Sequence, residues 1–323
     1  MDQFGSTTDA LAAARGGAVV VPRPDLWVLP LGGRDVLPYL HAVSSQHTAE
    51  LGEGDAAEAL LLSPKGKVDF AFRLAVRPDG VLLDTEAEAA AALAERLARF
   101  VFRYDVVVGA PGPGALSVLG PDAAAVVAAA GLPTPPAEHG HAAVARPGLA
   151  VHRGPLGLDL VGPAVPASLA ALDAAGVAGA PEELWELIRI ERGLPRWGRE
   201  LTDDVIAEEA GLLGTHVHLD KGCYPGQETV ARVHNLGQVQ RRLAGLRFDG
   251  GELPPARTEL TTEDGRRAGQ LRSGVHHPEL GPIALAYVRR TVAPGQLVLA
   301  GEVRGRVVEL PFPTVQRPAQ ASA

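Results

Sequence analysis

Cysteine is almost absent from this chain of 323 residues, which holds only Cys223. One thiol excludes an intrachain disulfide, a Cys-x-x-Cys redox pair and any cluster or zinc centre built on several cysteines of this chain. Such a chain suits a reducing compartment, and a cytoplasmic location is expected. No apolar run reaches the roughly 18 residues that a membrane span needs. The first nine residues are polar and acidic, unlike the basic-then-apolar start of a secretory signal. A net charge of −8 leaves no excess of positive charge for bulk phosphate-backbone binding, so neither a membrane nor a nucleic-acid partner is expected.

Lysine is scarce too. Of 30 basic residues only Lys65, Lys67 and Lys221 are lysines, and every other cation is arginine. A lysine kept in so arginine-biased a chain marks a place where a compact ammonium does what a planar guanidinium cannot. Two of the three stand in Pro64-Lys-Gly-Lys67, and the third lies two residues before the cysteine. The one asparagine, Asn235, follows shortly after. Attention therefore falls on residues 64–69 and 220–235.

What is present reads as an α+β protein. Residues 26–31 form a strand, and 33–47 open an amphipathic helix with Val36, Leu37, Leu40 and Val43 on its apolar stripe. Val68–Val76 reads as a strand, with Pro78-Asp-Gly80 turning into Val81–Leu83. Thr85 is placed to cap the Ala-rich helix 86–99, which turns Leu93 and Leu97 to the core. Tyr104–Val108 is a further strand. Gly-Ala-Pro-Gly-Pro-Gly at 109–114 is a plain loop, since its spacing and two prolines defeat a dinucleotide fingerprint. Helices follow at 121–130, 166–175 and 181–191, with strands at 149–152 and 157–161. From residue 240 the pattern changes to short strands at 243–248, 268–273, 283–288, 297–300 and 303–310, broken by Gly, Pro or Asp, as in a small antiparallel barrel. The expected division is a body over 1–236, a barrel over 240–312 and a disordered tail over 313–323.

The chemistry centres on residues 220–232, Asp-Lys-Gly-Cys-Tyr-Pro-Gly-Gln-Glu-Thr-Val-Ala-Arg. Glycines flank the cysteine and Pro225 excludes regular helix, so a tight loop should present the thiol just before a helix opened by Gly226-Gln-Glu228. Lys221, Arg232 and the helix N-terminus supply positive charge that favours the thiolate. His216-x-His218 on a strand would put two imidazoles on one face, but with no further fixed ligands a metal site is not expected.

Lys-Gly-Cys-Tyr-x-Gly-Gln-Glu followed four residues later by a base resembles the signature of the YgfZ branch of the glycine-cleavage T-protein superfamily. Residues 189–204 resemble that superfamily's Arg-x-x-x-Gly-x-Pro-x-aromatic-Gly-x-Glu stretch. Pro64–Phe70 resembles its β-turn, and 269–274 and 281–288 resemble strands of its barrel. The resemblance implies two ferredoxin-like α/β lobes around a folate cleft, plus the C-terminal barrel. It implies tetrahydrofolate, or a one-carbon derivative, as cofactor. It places Glu200 on the pterin ring, Trp197 at the aromatic position and Asp69 where T-proteins carry an Asp pair. Tyr224 and Arg232 join these as expected folate contacts, with Cys223 and Lys221 expected to carry the thiol chemistry. Iron–sulfur client or assembly proteins are the implied partners. Only one Asp stands at the pair position, followed by Phe70, which disfavours the rival reading of an aminomethyl- or methyltransferase. A second rival is a non-catalytic folate-binding adaptor in which Cys223 only packs.

Overall fold

The computed structural model describes residues 6–135, 143–237 and 239–313. The sequence expectation for the tail lies outside the described residues, apart from Pro313. The chain divides into two compact units. One holds residues 1–185, 201–208 and 212–236; the other holds 186–200, 209–211 and 237–323.

The chain opens with α1 (Thr7–Gly16), β1 (Val19–Pro22), β2 (Leu26–Gly32), α2 (Val36–Val43), β3 (Ala56–Leu62), β4 (Val68–Arg77), β5 (Gly80–Glu86) and α3 (Ala87–Ala98). Next come β6 (Val107–Val108), β7 (Gly112–Pro113), β8 (Ala115–Leu119), α4 (Ala123–Ala129), β9 (Ala143–Arg146), β10 (Leu149–Gly154), β11 (Gly157–Val161), α5 (Val165–Ala174) and α6 (Glu182–Arg192). Two further helices, α7 (Leu213–His216) and α8 (Gln227–Leu236), precede the strands β12 (Arg241–Phe248), β13 (Glu259–Thr261), β14 (Arg267–His277), β15 (Gly281–Arg289), β16 (Leu297–Ala300) and β17 (Val303–Val308).

In the first unit, β3-β4-β5-β2-β6 form one antiparallel sheet, with β7 paired to β2, and β1-β8-β11-β10-β9 form a second. Side chains alternate across each strand. Phe72, Leu74, Val81 and Leu83 pack against Tyr39 and Leu40 of α2 and Leu93 and Leu97 of α3. Leu116, Val118, Leu149, Val151, Leu158 and Leu160 pack instead with Val127 of α4 and Leu172 of α5. The opposite faces meet through Leu26, Val28, Ala75, Leu82, Ala150 and Val161.

That layer between the sheets also carries charge. Arg73 donates to Asp84 at 2.8 Å and to Asp159 at 2.5 Å, while Ser117 donates to Asp159 and accepts from Arg23. Burial alone would raise both carboxyl pKa values, but the Arg73 guanidinium overrides it and holds both groups below the usual carboxylate range.

In the second unit, β12-β15-β14-β13-β16-β17 close into a six-stranded antiparallel barrel. Ala284, Ala286 and Val288 of β15 point inside, with Leu246, Leu271, Val298 and Val307. Ile283 and Leu285 point outward and pack with Ile190 of α6 and Phe312.

The α+β class with a C-terminal barrel agrees with the sequence. Four local readings do not. The plain loop expected at 109–114 holds β7, which pairs with β2. Thr85 caps nothing: it lies in β5 and donates to the Ala71 carbonyl, while Glu86 stands at the N-cap of α3 without a capping bond. The strand over 104–108 shrinks to β6. His216 and His218 are not on a strand, since α7 ends at His216. No sequence expectation covers α1, β1, β3, β8, β9, α7 or β13.

Candidate functional site

The two lysine-bearing segments meet. A reverse turn joins β3 to β4, with Ser63 N donating to the Lys67 carbonyl and Gly66 N to that of Ser63. Gly66 is in the left-handed region, and a Cβ there would lie 2.5 Å from the Thr229 Cβ of α8. The turn is also tied to residues 204–206: Lys67 Nζ donates to the Asp204 carbonyl at 2.8 Å and Val68 N to that of Val205.

The cysteine loop is built as expected, with Gly222 and Gly226 at positive φ and α8 starting at Gln227. Tyr224 N donates to the Gln227 side chain, which closes the loop onto the helix. Cys223 is exposed and Tyr224 buried. An exposed thiol does not pack, so that part of the adaptor reading is removed.

Lys221 is turned away from solvent. Its ammonium donates to the His41 carbonyl and, at 2.7 Å, to that of Ser44, two acceptors at the C-terminal end of α2. It also lies 4.5 Å from the centre of the Tyr224 ring. Burial lowers its pKa from 10.5 to about 8. In return the Nε2–H of His41 donates to the Lys221 carbonyl at 3.0 Å. The preceding strip is stitched in as well, with Ser45 donating to the His216 carbonyl and Gln46 to that of Thr215. His216 reaches Glu58, whereas His218 stacks near His47, which in turn meets His41 edge-on. The two imidazoles of His216-x-His218 thus go to different neighbours. Arg232 is exposed on α8.

Asp69 occupies a β-bulge. Leu62 pairs with Val68 and Leu61 with Phe70, so Asp69 is the extra residue, and it comes within 3.8 Å of Arg96 of α3. Its pKa is raised, first by burial, against the pull of Arg96 and with a push from Asp203. A small cavity of about 30 Å³ lies between α2 and α3, lined by Tyr39, Val43, Leu62, Arg96, Phe100 and Pro225 among others.

Glu200 belongs to the other unit and is fully buried. Its Oε2 accepts from Arg189 Nη1 and from the Arg196 backbone, both at 3.0 Å. Arg189, also fully buried, is further held by Glu186, the Leu194 carbonyl and Ser273. Glu200 Oε1 has no hydrogen-bond partner among the described residues. One carboxylate oxygen is thus anchored by Arg189 and the Arg196 backbone, and the other is left over. Trp197 is half-buried in the loop between Arg189 and Glu200.

Residues 240–312 match the family described as CAF17, C-terminal beta-barrel domain. The whole chain aligns at 26% identity with 78% of a chloroplastic candidate transferase of Arabidopsis thaliana. At 30% identity, 93% of the chain aligns with 87% of an aminomethyltransferase of Frankia alni. The same identity is found with the aminomethyltransferase of Rubrobacter xylanophilus, over 87% of this chain and 79% of that one. The crystal structure of glycine cleavage system aminomethyltransferase T from Bartonella henselae superposes with a TM-score of 0.83 at 21% identity, over 96% of this chain and 91% of that one. That last likeness is one of fold. The chain belongs to the aminomethyltransferase-like superfamily of the glycine-cleavage T-protein, and its barrel is of the CAF17 kind.

Proposed function

We propose that this chain is a folate-binding protein of the YgfZ branch that assists the assembly or repair of iron–sulfur proteins. Glu200 would hold the pterin ring and Cys223 would be the reactive thiol. The observation that carries the reading is the Glu200 carboxylate, buried, fixed on one side by Arg189 and Arg196 N, and unpartnered at Oε1. The aminopyrimidine edge of a pterin offers the N–H groups that such an oxygen needs, so the donor set fits the cofactor. Bound tetrahydrofolate would supply a carrier for one-carbon units. The chain's own residues supply an acceptor for the ring and an exposed thiol on a loop closed onto α8. The CAF17-type barrel and the complete Lys221–Glu228 motif support the iron–sulfur role, and the client proteins would come to Cys223.

Aminomethyl transfer is the second reading. It is favoured by Asp69, whose bulge, partial burial and raised pKa suit a proton-transfer group. A titration with 5-formyltetrahydrofolate followed by tryptophan fluorescence tests the shared folate step, because Trp197 lies in the Glu200 loop. No saturable change, together with no heat in calorimetry, would remove folate from both readings. Restoration of iron–sulfur enzyme activity in a deletion strain by the wild type but not by Cys223→Ser separates the first reading from the second.

A further inference from the structure

The barrel strand β15 changes character along its outward face. Ile283 and Leu285 point outward into an apolar contact with Ile190, and the next outward residue is Tyr287. Tyr287 is 1% exposed, its ring lies under two guanidiniums, Arg241 at 4.9 Å and Arg272 at 5.3 Å, and its hydroxyl has no hydrogen-bond partner among the described residues. A buried phenol normally finds one, because an unmade bond at such a site is costly. Glu200 Oε1 is in the same condition within the same unit. Geometry brings them onto one stretch of the barrel: Arg189, which holds Glu200, also contacts Ser273, and Ser273 pairs with Leu285, one outward position from Tyr287. Burial first, then the carboxylates of Glu200 and Glu209, raise the Tyr287 pKa, so the phenol remains a donor. Glu209 is engaged with Arg241 at 3.1 Å. Glu200 is tied through Arg189 to Ser273 on β14, the strand that pairs with β15. The barrel face therefore presents an unpartnered acceptor and an unpartnered donor that do not satisfy one another.

We infer that Tyr287 is a ligand-binding residue whose hydroxyl donates to the ring carbonyl oxygen of a 2-amino-4-oxopteridine while Glu200 Oε1 accepts from the adjacent ring N–H groups. The inference rests on the folate reading above and deepens it, because it assigns recognition of the 4-oxo group to a barrel residue. A lone acceptor would bind any N–H edge. An acceptor beside a donor selects a ring edge that carries N–H and C=O side by side. The phenol is also preorganised for this contact. Two guanidiniums hold its ring, so the hydroxyl meets the ligand with little loss of freedom.

The test is a calorimetric cycle on the full chain, wild type and Tyr287→Phe, with folic acid and its 4-amino-4-deoxy analogue, and with 5-formyltetrahydrofolate as the reduced probe. The hydroxyl should contribute about three- to tenfold in affinity for the two 4-oxo ligands, as expected of one neutral hydrogen bond. Tyr287→Phe should leave the affinity for the 4-amino analogue unchanged. The unliganded variant should melt at or above the wild-type temperature, since it loses an unpartnered hydroxyl. Equal affinity of wild type and variant for the 4-oxo ligands overturns the inference and leaves the folate reading standing. A variant that melts lower with unchanged affinity shows that the hydroxyl serves a buried water only. Failure of the wild type to bind any of the three overturns the folate reading and this inference with it. Should Tyr287→Phe not fold, equal wild-type affinity for folic acid and its 4-amino analogue would overturn the assignment without any variant.

Discussion

Gly66 and Gly226 touch backbone to backbone. A Cβ on Gly226 would lie 3.1 Å from the Gly66 Cα and 2.5 Å from the Ser63 carbonyl oxygen, and both glycines have positive φ. Gly226→Ala therefore combines left-handed strain with a clash against backbone. It should cost about 2–4 kcal/mol in denaturant unfolding. Gly222 also has positive φ but has nothing within 4 Å of its Cβ position. Gly222→Ala should cost only the strain, about 1–2 kcal/mol. Equal losses would mean that the turn and the loop do not meet.

Lys221 sets a pH dependence. Its pKa falls from 10.5 in the unfolded chain to about 8 when folded, because burial disfavours the ammonium. Between those values the unfolded state binds more protons, so stability rises with pH across the window from about 8 to 10.5, by at most about 3 kcal/mol. Lys221→Met should remove that rise. Unfolding curves of both proteins from pH 7 to 10.5 check it, and parallel slopes would show that the ammonium is not buried.

On the acid side, His41 acts in the same sense. Its pKa is lowered by burial first, then by the Lys221 and His47 charges. The unfolded histidine takes up a proton that the folded one resists, so stability falls as pH drops below about 6.5. His41→Asn should flatten that part of the profile, measured as the melting temperature between pH 5 and 7.

Arg73 holds Asp84 and Asp159 together in the layer between the two sheets. Arg73→Met leaves two buried carboxylates without their cation and should destabilise by about 3–5 kcal/mol. The depressed carboxyl pKa values contribute stability that is present above the unfolded value of about 3.8 and is lost as pH falls through the folded values. The variant lacks that reserve and should unfold at higher pH in an acid titration followed by circular dichroism.

Glu200→Gln tests binding and packing at once. The sequence suggested an acceptor open to ligand, but the carboxylate is also the partner of buried Arg189. Arg189 keeps its contacts to Glu186, so the loss should stay near about 1–3 kcal/mol in stability. Affinity for 5-formyltetrahydrofolate should fall at least tenfold, through loss of a charge-assisted bond of about 1.5–3 kcal/mol. Calorimetry alongside a melting curve reads both effects, and unchanged affinity would free Glu200 from the site.

Much of this architecture was legible in local pattern. The period-2 runs of β4 and β15, the apolar stripe of α2, the glycines that stop α4 and α6, and the Gly-Cys-Tyr-Pro-Gly loop before α8 each follow from neighbours within a few residues. Backbone sterics and side-chain alternation act over that range. Cys223 was placed in an exposed loop for the same reason. Other features depend on residues far apart in the chain, and only packing could decide them. Lys221 read as a charge beside the thiol, and packing adds what the sequence could not show: its ammonium donates to carbonyls about 180 residues earlier, because a buried cation must take whatever acceptors a helix end leaves over. Asp69 was visible as one carboxylate, but its bulge and its coupling to Asp203 arise from strand register and chain return. Tyr287 read as one more strand residue. It lies on the outer face because a closed barrel turns alternate residues of β15 outward, and no local signal distinguishes that phenol from a packing ring.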